Sequence, residues 1–282
     1  MRLSVTFIAA VSTALVLGSG PAHAKSPLTD INVFYRLYVG GGKLAEVDLS
    51  ARLGKGRYTV KASAKSVGFL GDLAKVVMSG TSSGLIVGDA VRPVDHQYKI
   101  DERGRRKRQV VMAYSASGKP EVSAQPAFNR SSKRAPISVA QTVGTIDPVT
   151  SFVIPIKAGA SALHPSQCKR GAAIFDGQQR YDISLKHKAS YGAYNLKAAN
   201  YVGPAIRCTV QFQPVAGYKK AGFLADLAKR KASIDVVYAP TGDGRYLIPV
   251  RIRFPTPIGQ AVFQAINFSS KTVMRAAALS GN

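Results

Sequence analysis

The chain has 282 residues, of which 39 are basic and 15 are acidic, so its formal net charge is +24. In a cytosolic protein this excess of positive charge would suggest a nucleic-acid partner. The first residues predict export, however, and export excludes nucleic acid as the partner.

Residues 1–24 predict a cleaved signal peptide. A basic start, Met1-Arg2, precedes the apolar run LSVTFIAAVSTALVLG, and Ala22-His23-Ala24 is a small-residue cleavage site. The run is too short to be a membrane span, and no later stretch is long and apolar enough to cross a bilayer. We therefore expect a periplasmic protein that is not transmembrane when mature. The anions available there are lipid headgroups, lipopolysaccharide phosphates and acidic wall polymers.

Most of the remaining chain alternates between apolar and polar residues with the period of a β-strand. Residues 33–67 show the alternation best, with a hairpin turn at Gly54-Lys55-Gly56. AIFDGQQRYDISL, RCTVQFQPVAG, ASIDVVYAP and GRYLIPVRIRF continue the pattern in the second half. Short strands with turns between them predict an all-β fold, a curved antiparallel sheet that forms an open or spiral barrel.

One octet occurs twice. GFLGDLAK at 68–75 and GFLADLAK at 222–229 are separated by 154 positions, and Gly88-Asp89 matches Gly242-Asp243 at the same separation. Arg92-Pro93-Val94 has a near counterpart in Ile248-Pro249-Val250, out of step by two. We interpret residues 25–282 as a single barrel-like domain with two pseudo-equivalent halves, about 30–145 and 146–270.

The two octets are the best helix candidates, because their apolar residues recur at helical spacing. Each octet predicts a short helical plug over an open end of the sheet, where unpaired strand edges need a cover. Two interpretations remain for their apolar side chains, which are either ordinary core or lids over a ligand cavity. The candidate lid residues are Phe69, Leu70, Leu73, Phe223, Leu224 and Leu227.

Three other segments carry local signals. The basic run RGRRKR, residues 103–108, is either a solvated hairpin tip or an anion-binding patch. Residues 117–136 are rich in Ser, Pro, Lys and Arg and predict a long exposed loop. Further along, Asp147-Pro148 has the pattern of an N-cap followed by the first residue of a helix.

Cys168 and Cys208 are the two cysteines of the chain. Two cysteines in an exported protein predict one disulfide, and this disulfide would close a long loop. The alternative is a catalytic thiolate, formed by Cys168 with His164. The presence of a second cysteine makes a disulfide the simpler explanation.

Motifs for catalysis are weak. Gly80-Thr81-Ser82-Ser83-Gly84 matches the G-x-S-x-G nucleophile elbow, but that motif requires a strand-to-helix turn, and its surroundings predict a β-hairpin with the serines in a turn. His96, His164 and His187 are isolated from one another, so we predict no metal site and no cofactor.

The segment AIFDGQQRYDISL, together with YTVKASAKSVGFLGDL, DPVTSFVIP and YLIPVRIRF, resembles a family of exported Gram-negative proteins, domain-of-unknown-function family 3108. The family-motif residues here are Phe175, Asp176, Gly177, Arg180, Tyr181 and Asp182. The organisation is also similar to exported envelope-integrity proteins that have a spiral, open β-barrel, one disulfide and a comparable F-D-G segment. That resemblance implies a structural Cys168–Cys208 bridge and a role in maintaining the cell envelope.

The sequence therefore predicts a non-enzymatic periplasmic protein that supports envelope integrity. Its expected ligand is a lipid-like or amphipathic anion, with basic side chains at the rim and apolar side chains below. Two alternatives remain: a scaffold that engages an envelope protein through exposed strand edges, and a hydrolase that uses Ser82.

Overall fold

The computed structural model describes residues 27–54, 56–102, 106–129, 132–229 and 233–273. The predicted signal peptide lies outside the described residues. Two α-helices are described, α1 (Gly68–Ala74) and α2 (Phe223–Lys229). The strands are β1 (Leu28–Val39), β2 (Gly42–Gly54), β3 (Arg57–Ser66), β4 (Val76–Val87), β5 (Ala90–Glu102), β6 (Arg106–Tyr114), β7 (Pro120–Gln125), β8 (Ile154–Pro155), β9 (Gly171–Phe175), β10 (Arg180–Leu196), β11 (Tyr201–Ala216), β12 (Ile234–Pro240), β13 (Tyr246–Thr256) and β14 (Gly259–Val273).

All of these strands belong to one antiparallel sheet, so the all-β prediction is confirmed. The strand order is β7-β6-β5-β4-β3-β2-β1-β14-β13-β12-β11-β10-β9, with β8 paired to β13. Strands β1 and β14 pair in the middle of this order, which joins the two halves of the chain. In the described part of the chain β7 and β9 do not pair with each other, so the sheet is open. No helix described there is long and apolar enough to span a membrane.

The segment between β7 and β8, which we call the connector (described residues 126–129 and 132–153), lies across the open side of the sheet. On one side Ile146 donates its N–H to Ala173 of β9 at 2.8 Å and accepts from the N–H of Phe175 at 2.9 Å. On the other side Gly144 donates to the carbonyl of Gly118, in the β6–β7 turn, at 2.9 Å. The connector contains two short 3₁₀ helices, Val139–Thr142 and Thr150–Phe152, where the sequence suggested one longer helix.

The largest core cluster lies under the middle of the sheet. Alternating side chains of β1 and β2 point into it, as the period-two pattern predicts. Tyr35 is its centre: its ring stacks on Phe263 with centroids 4.5 Å apart, and its hydroxyl donates to the carbonyl of Pro249 at 2.8 Å. The hydrogen bond allows a polar phenol to be buried in the core at little cost.

The two octets form equivalent connections. Helix α1 joins β3 to β4, and α2 joins β11 to β12; both pairs of strands are antiparallel neighbours. The similarity extends to a β-bulge, which interrupts β4–β5 after Ser83 and β12–β13 after Val237. Beyond the bulge Gly84 pairs with Pro93, and Tyr238 pairs with Pro249. The sequence offset of two between the prolines is absorbed in the intervening turns. These matches support the interpretation of two related halves.

The predicted disulfide is present. Cys168, at the end of the 3₁₀ helix Pro165–Cys168, is bonded to Cys208 of β11, and their Cα atoms are 5.7 Å apart. Both residues are buried in a second apolar cluster with Ile206, Val236 and Leu247. The bond thereby fixes the segment between β8 and β9 against the sheet.

We expect replacement of both cysteines by alanine to lower the free energy of unfolding by about 2–4 kcal/mol, because the bond closes a 40-residue loop. Urea unfolding followed by circular dichroism measures this loss. V202A, on the same strand, is the control because Val202 is 69% exposed. An unchanged midpoint on removal of the bond would contradict the prediction.

Candidate functional site

A cavity of about 570 Å³ lies between the inner faces of β3–β6 and three loops that face them. The loops are the connector, the β9–β10 turn and the chain leading into α2. The volume lies in the range typical of small-molecule sites. Side chains and backbone that line the cavity include Ala62, Ala64, Met78, Gly80, His96, Tyr98, Ile100, Arg106, Arg108, Phe128, Arg134, Pro148, Val149, Asp176, Gln178, Gln179, Lys219 and Gly222.

The pairing of the strands shows the order of these residues from the floor of the cavity to its mouth. His96, only 3% exposed, lies deepest; Ile100 lies four residues along β5 and pairs with Arg108. Four residues of strand span about 13 Å. Exposure increases in the same direction, since Met78, which pairs with Ile100, is 38% exposed and the side chain of Arg106 is 44% exposed. The cavity therefore has a buried floor and an open, basic mouth.

The basic residues of the mouth come from both sides. Arg108 lies over the ring of Phe128, 4.6 Å from its centroid, and donates to the carbonyls of Pro126 at 3.0 Å and Ala127 at 3.3 Å. Arg134 donates to the carbonyl of Gly217 at 2.7 Å. These contacts hold both guanidinium groups in place by means of neutral acceptors and an aromatic face.

Few carboxylate groups of the described residues neutralise the positive charge of this mouth. Arg106 is paired with Glu102. For Arg108, Arg134 and Lys219 the described residues provide no carboxylate partner, and the acidic lining residue Asp176 is bonded to its own turn. Three cations with unused donors therefore face one opening, which is an arrangement that attracts anions. Of the RGRRKR run, residues 103–105 lie outside the described residues; Arg106 and Arg108 point toward the cavity, and Lys107 points away.

The walls between mouth and floor are mainly apolar. Ala62, Ala64, Met78 and Val149 contribute aliphatic surface, and Gly80 leaves room beside Val149. Tyr98 is the aromatic member of the wall. Burial, and next the negative charge of Asp176, raise the pKa of its phenol to about 12, so it stays neutral.

The floor rests on a buried polar network centred on Asp147. One carboxylate oxygen, Oδ1, accepts from Ser82 Oγ at 2.6 Å and lies 3.1 Å from Nδ1 of His96. The same oxygen accepts the backbone N–H groups of Val149 and Thr150 at 2.9 Å each. Oδ2 accepts from the hydroxyl of Thr150, which in turn lies 2.9 Å from the hydroxyl of Tyr58. The network joins the connector to β3, β4 and β5.

Asp147 remains a carboxylate although it is fully buried. Burial by itself would raise its pKa, but hydrogen bonds from His96, Ser82 and Thr150, with the charge attraction of His96, outweigh burial and lower the pKa below the ordinary aspartate value. The sequence placed an N-cap at Asp147, whereas the N-cap of the 3₁₀ helix Thr150–Phe152 is Val149; Asp147 precedes it and accepts the N–H groups of Val149 and Thr150. The sequence did not indicate its bonds to Ser82 and His96, which lie far away in the chain.

The G-x-S-x-G segment is not a nucleophile elbow. Ser82 lies in the middle of β4, where no strand-to-helix turn occurs, and it is not in the hairpin turn that the sequence suggested. Its side chain is completely buried, and its hydroxyl donates to Asp147. A nucleophile needs its oxygen free to attack and a base to receive the proton; here Ser82 and Asp147 both contact the same histidine nitrogen, so no relay is formed.

The candidate lid residues occupy unequal places. Phe69 of α1 is 80% exposed, whereas Leu227 of α2 is buried. The side chains of Leu70, Leu73, Phe223 and Leu224 lie outside the described residues. Gly222, which precedes α2, borders the cavity, whereas none of the described side chains of α1 does.

The F-D-G segment closes the cavity from the opposite side. Phe175 is buried against Val110 and Met112 of β6. Gly177 has φ +92°, and a Cβ there would lie 3.0 Å from Val110, so the turn requires glycine. Asp176 accepts the N–H groups of Gln178 at 2.8 Å and Gln179 at 2.6 Å, which directs both glutamines to the cavity.

The remaining family-motif residues brace this turn. Arg180 donates to the carbonyl of Gln141 in the connector at 3.0 Å and pairs with Asp182 at 2.7 Å. The ring of Tyr181 lies 5.3 Å from that of Phe212. The described residues hold no group of three His, Cys, Asp or Glu side chains that could bind a metal ion.

We expect D147N to lower the free energy of unfolding by about 3 kcal/mol at neutral pH, because it removes charge-assisted bonds from a buried site. The folded-state pKa is depressed, so this contribution is present above the pKa of an unfolded aspartate, about 3.9, and is lost as the pH falls through the lower folded-state value. Urea unfolding at several pH values measures the difference. D95N is the control, because Asp95 is an exposed neighbour on β5; equal losses for the two variants would contradict the prediction.

Comparison with known proteins gives a family match and a similar solved structure. A crystal structure of a β-barrel-like protein of the domain of unknown function DUF1849, from Brucella abortus, aligns with 10% identity and a TM-score of 0.44, covering 87% of this chain and 98% of that one. No curated protein matches this chain. The model of the family described as "Protein of unknown function (DUF3108)" matches residues 34–265. The chain therefore belongs to the DUF3108 family.

Proposed function

We propose that this protein is an exported, non-enzymatic component of the cell envelope that binds an amphipathic anion in the cavity. The observation that carries the proposal is the gradient along the cavity, from an apolar interior to a mouth with three cations for which the described residues provide no carboxylate partner. An anionic group would pair with Arg108, Arg134 and Lys219. Its apolar body would replace water against Ala62, Ala64, Met78 and Val149.

The electrostatics favour a ligand that keeps its charge near the opening. A charge carried to the floor would lie beside the buried carboxylate of Asp147 and would lose its hydration. At the mouth the same charge keeps part of its hydration and gains charge-assisted hydrogen bonds from arginine. The orientation proposed for the ligand is therefore head outward and tail inward.

An envelope location is consistent with the rest of the molecule. The buried Cys168–Cys208 bond suits an oxidising compartment. Residues 1–24 have the pattern of a signal peptide. In such a compartment, single-chain lipids and other membrane-derived anions are ligands of the required chemistry.

Dodecanoate is a suitable first probe, because it combines one carboxylate with one unbranched apolar chain. We expect isothermal titration to show a single site in the wild-type protein. Changing Arg108 and Arg134 together to methionine should weaken binding at least tenfold, since each lost charge-assisted contact is worth about 1.5–3 kcal/mol before screening. Added salt should weaken wild-type binding and affect the double variant less.

Two controls distinguish binding in the cavity from general attraction to a basic surface. R92M removes an exposed arginine outside the cavity lining and should leave the affinity unchanged. A64F adds bulk to the cavity wall without changing charge and should weaken binding as strongly as loss of the arginines. Absence of wild-type binding, or equal losses in R92M and the double variant, would overturn the proposal.

A further inference from the structure

His96 is the polar side chain at the cavity floor that the proposed binding of a simple anion leaves unexplained. Its imidazole is 2% exposed and borders the cavity, and its Nδ1 lies 2.8 Å from Ser82 Oγ and 3.1 Å from Asp147 Oδ1. Among the described residues none forms a hydrogen bond with the other ring nitrogen, Nε2. The lining beside it, Gly80 and Val149, offers no side-chain polar group.

The network determines which nitrogen carries the hydrogen. The single hydroxyl hydrogen of Ser82 is donated to Asp147, and Asp147 is ionised and can only accept. The atom that donates between His96 and these two oxygens is therefore Nδ1. Nε2 is then the ring nitrogen left for a ligand: it accepts a hydrogen bond when the ring is neutral and donates one when the ring is protonated.

The ring has no freedom to satisfy Nε2 by turning over. Rotation would place a C–H group against Ser82 and Asp147 and would remove two hydrogen bonds from a buried site. Asp147 is itself held by the N–H groups of Val149 and Thr150. The network therefore fixes Nε2 as a polar atom at the floor of the cavity, which is the arrangement of a specificity-determining group.

Resting on the proposed binding function, we propose that His96 selects ligands that carry a hydroxyl, which can both donate and accept a hydrogen bond, at the end opposite their anionic group. The ligand class is a single-chain anion with a terminal hydroxyl, its charge at Arg108 and Arg134 and its hydroxyl on Nε2. The row of His96 and the row of Arg108 are separated by four residues of β5, about 13 Å. An extended chain of intermediate length connects the two ends.

A pair of matched ligands tests this proposal in the full mature chain. Dodecanoate and ω-hydroxydodecanoate differ only in the terminal hydroxyl. We expect the hydroxylated ligand to bind about tenfold more tightly to the wild-type protein. The octanoate and hexadecanoate pairs should show a smaller preference, because their hydroxyl groups would not reach Nε2 with the carboxylate at the mouth.

Two substitutions separate the two sides of the imidazole. H96N places an amide N–H near the position of Nδ1, which retains a donor for Asp147 while removing Nε2, and should abolish the preference for the hydroxyl. R92M should leave the preference intact. Should H96N fail to fold, the ¹⁵N shift of Nε2 in the wild-type protein gives the answer directly, since a hydrogen bond with the ligand hydroxyl should move it with ω-hydroxydodecanoate and not with dodecanoate.

The outcomes for the two proposals are distinct. Equal affinity for the two dodecanoates, a preference unchanged in H96N, or an Nε2 signal that responds equally to both ligands overturns the role of His96 but leaves anion binding in place. Failure of both ligands to bind overturns the proposed function itself.

Discussion

The arrangement of the molecule depends on the buried carboxylate of Asp147. A sheet whose edge strands do not pair needs another element across the gap, and the connector takes that place. Ile146 is bonded to β9, and the next residue, Asp147, is bonded to Ser82 of β4 and contacts His96 of β5. Two adjacent residues thus join the opposite halves of the sheet. Because a carboxylate buried without partners is costly, all of these donors must be in place together.

The same interaction shapes the cavity. Pro148 and Val149 follow Asp147 directly and form part of the floor, so the bonds that fix the connector also fix the depth of the cavity. The mouth is built differently, from arginines held by backbone carbonyls and an aromatic ring. The molecule therefore combines a rigid base, set by the fold, with side chains at the mouth that meet solvent.

The sequence predicted the features that arise from local pattern. Alternation predicted the strands, the cysteine pair predicted the disulfide, and the F-D-G segment indicated the family. The residues that form the cavity could not be predicted, because His96, Asp147 and Arg134 come from separate parts of the chain and are joined only by strand pairing and the path of the connector. Arg106 and Arg108 were visible as a basic run, but which side chains face inward depends on the register of β6 against β5. The two helices were predicted correctly from the octets. Phe69 is nevertheless exposed, because one face of a seven-residue helix contacts the sheet and the rest meets solvent.

The matching bulges in the two halves allow the pair Ser82–His96 to be compared with its counterpart. At the corresponding place on β12 and β13, Val236 pairs with Ile252, two residues that cannot hydrogen-bond through their side chains. One framework of strands thus accommodates an ionic network in one half and a hydrocarbon contact in the other. At this position the pairing of the two strands does not depend on the chemistry of the paired side chains. A DUF3108 chain could exchange one pair for the other and so acquire, lose or relocate its cavity while its strand order stayed the same.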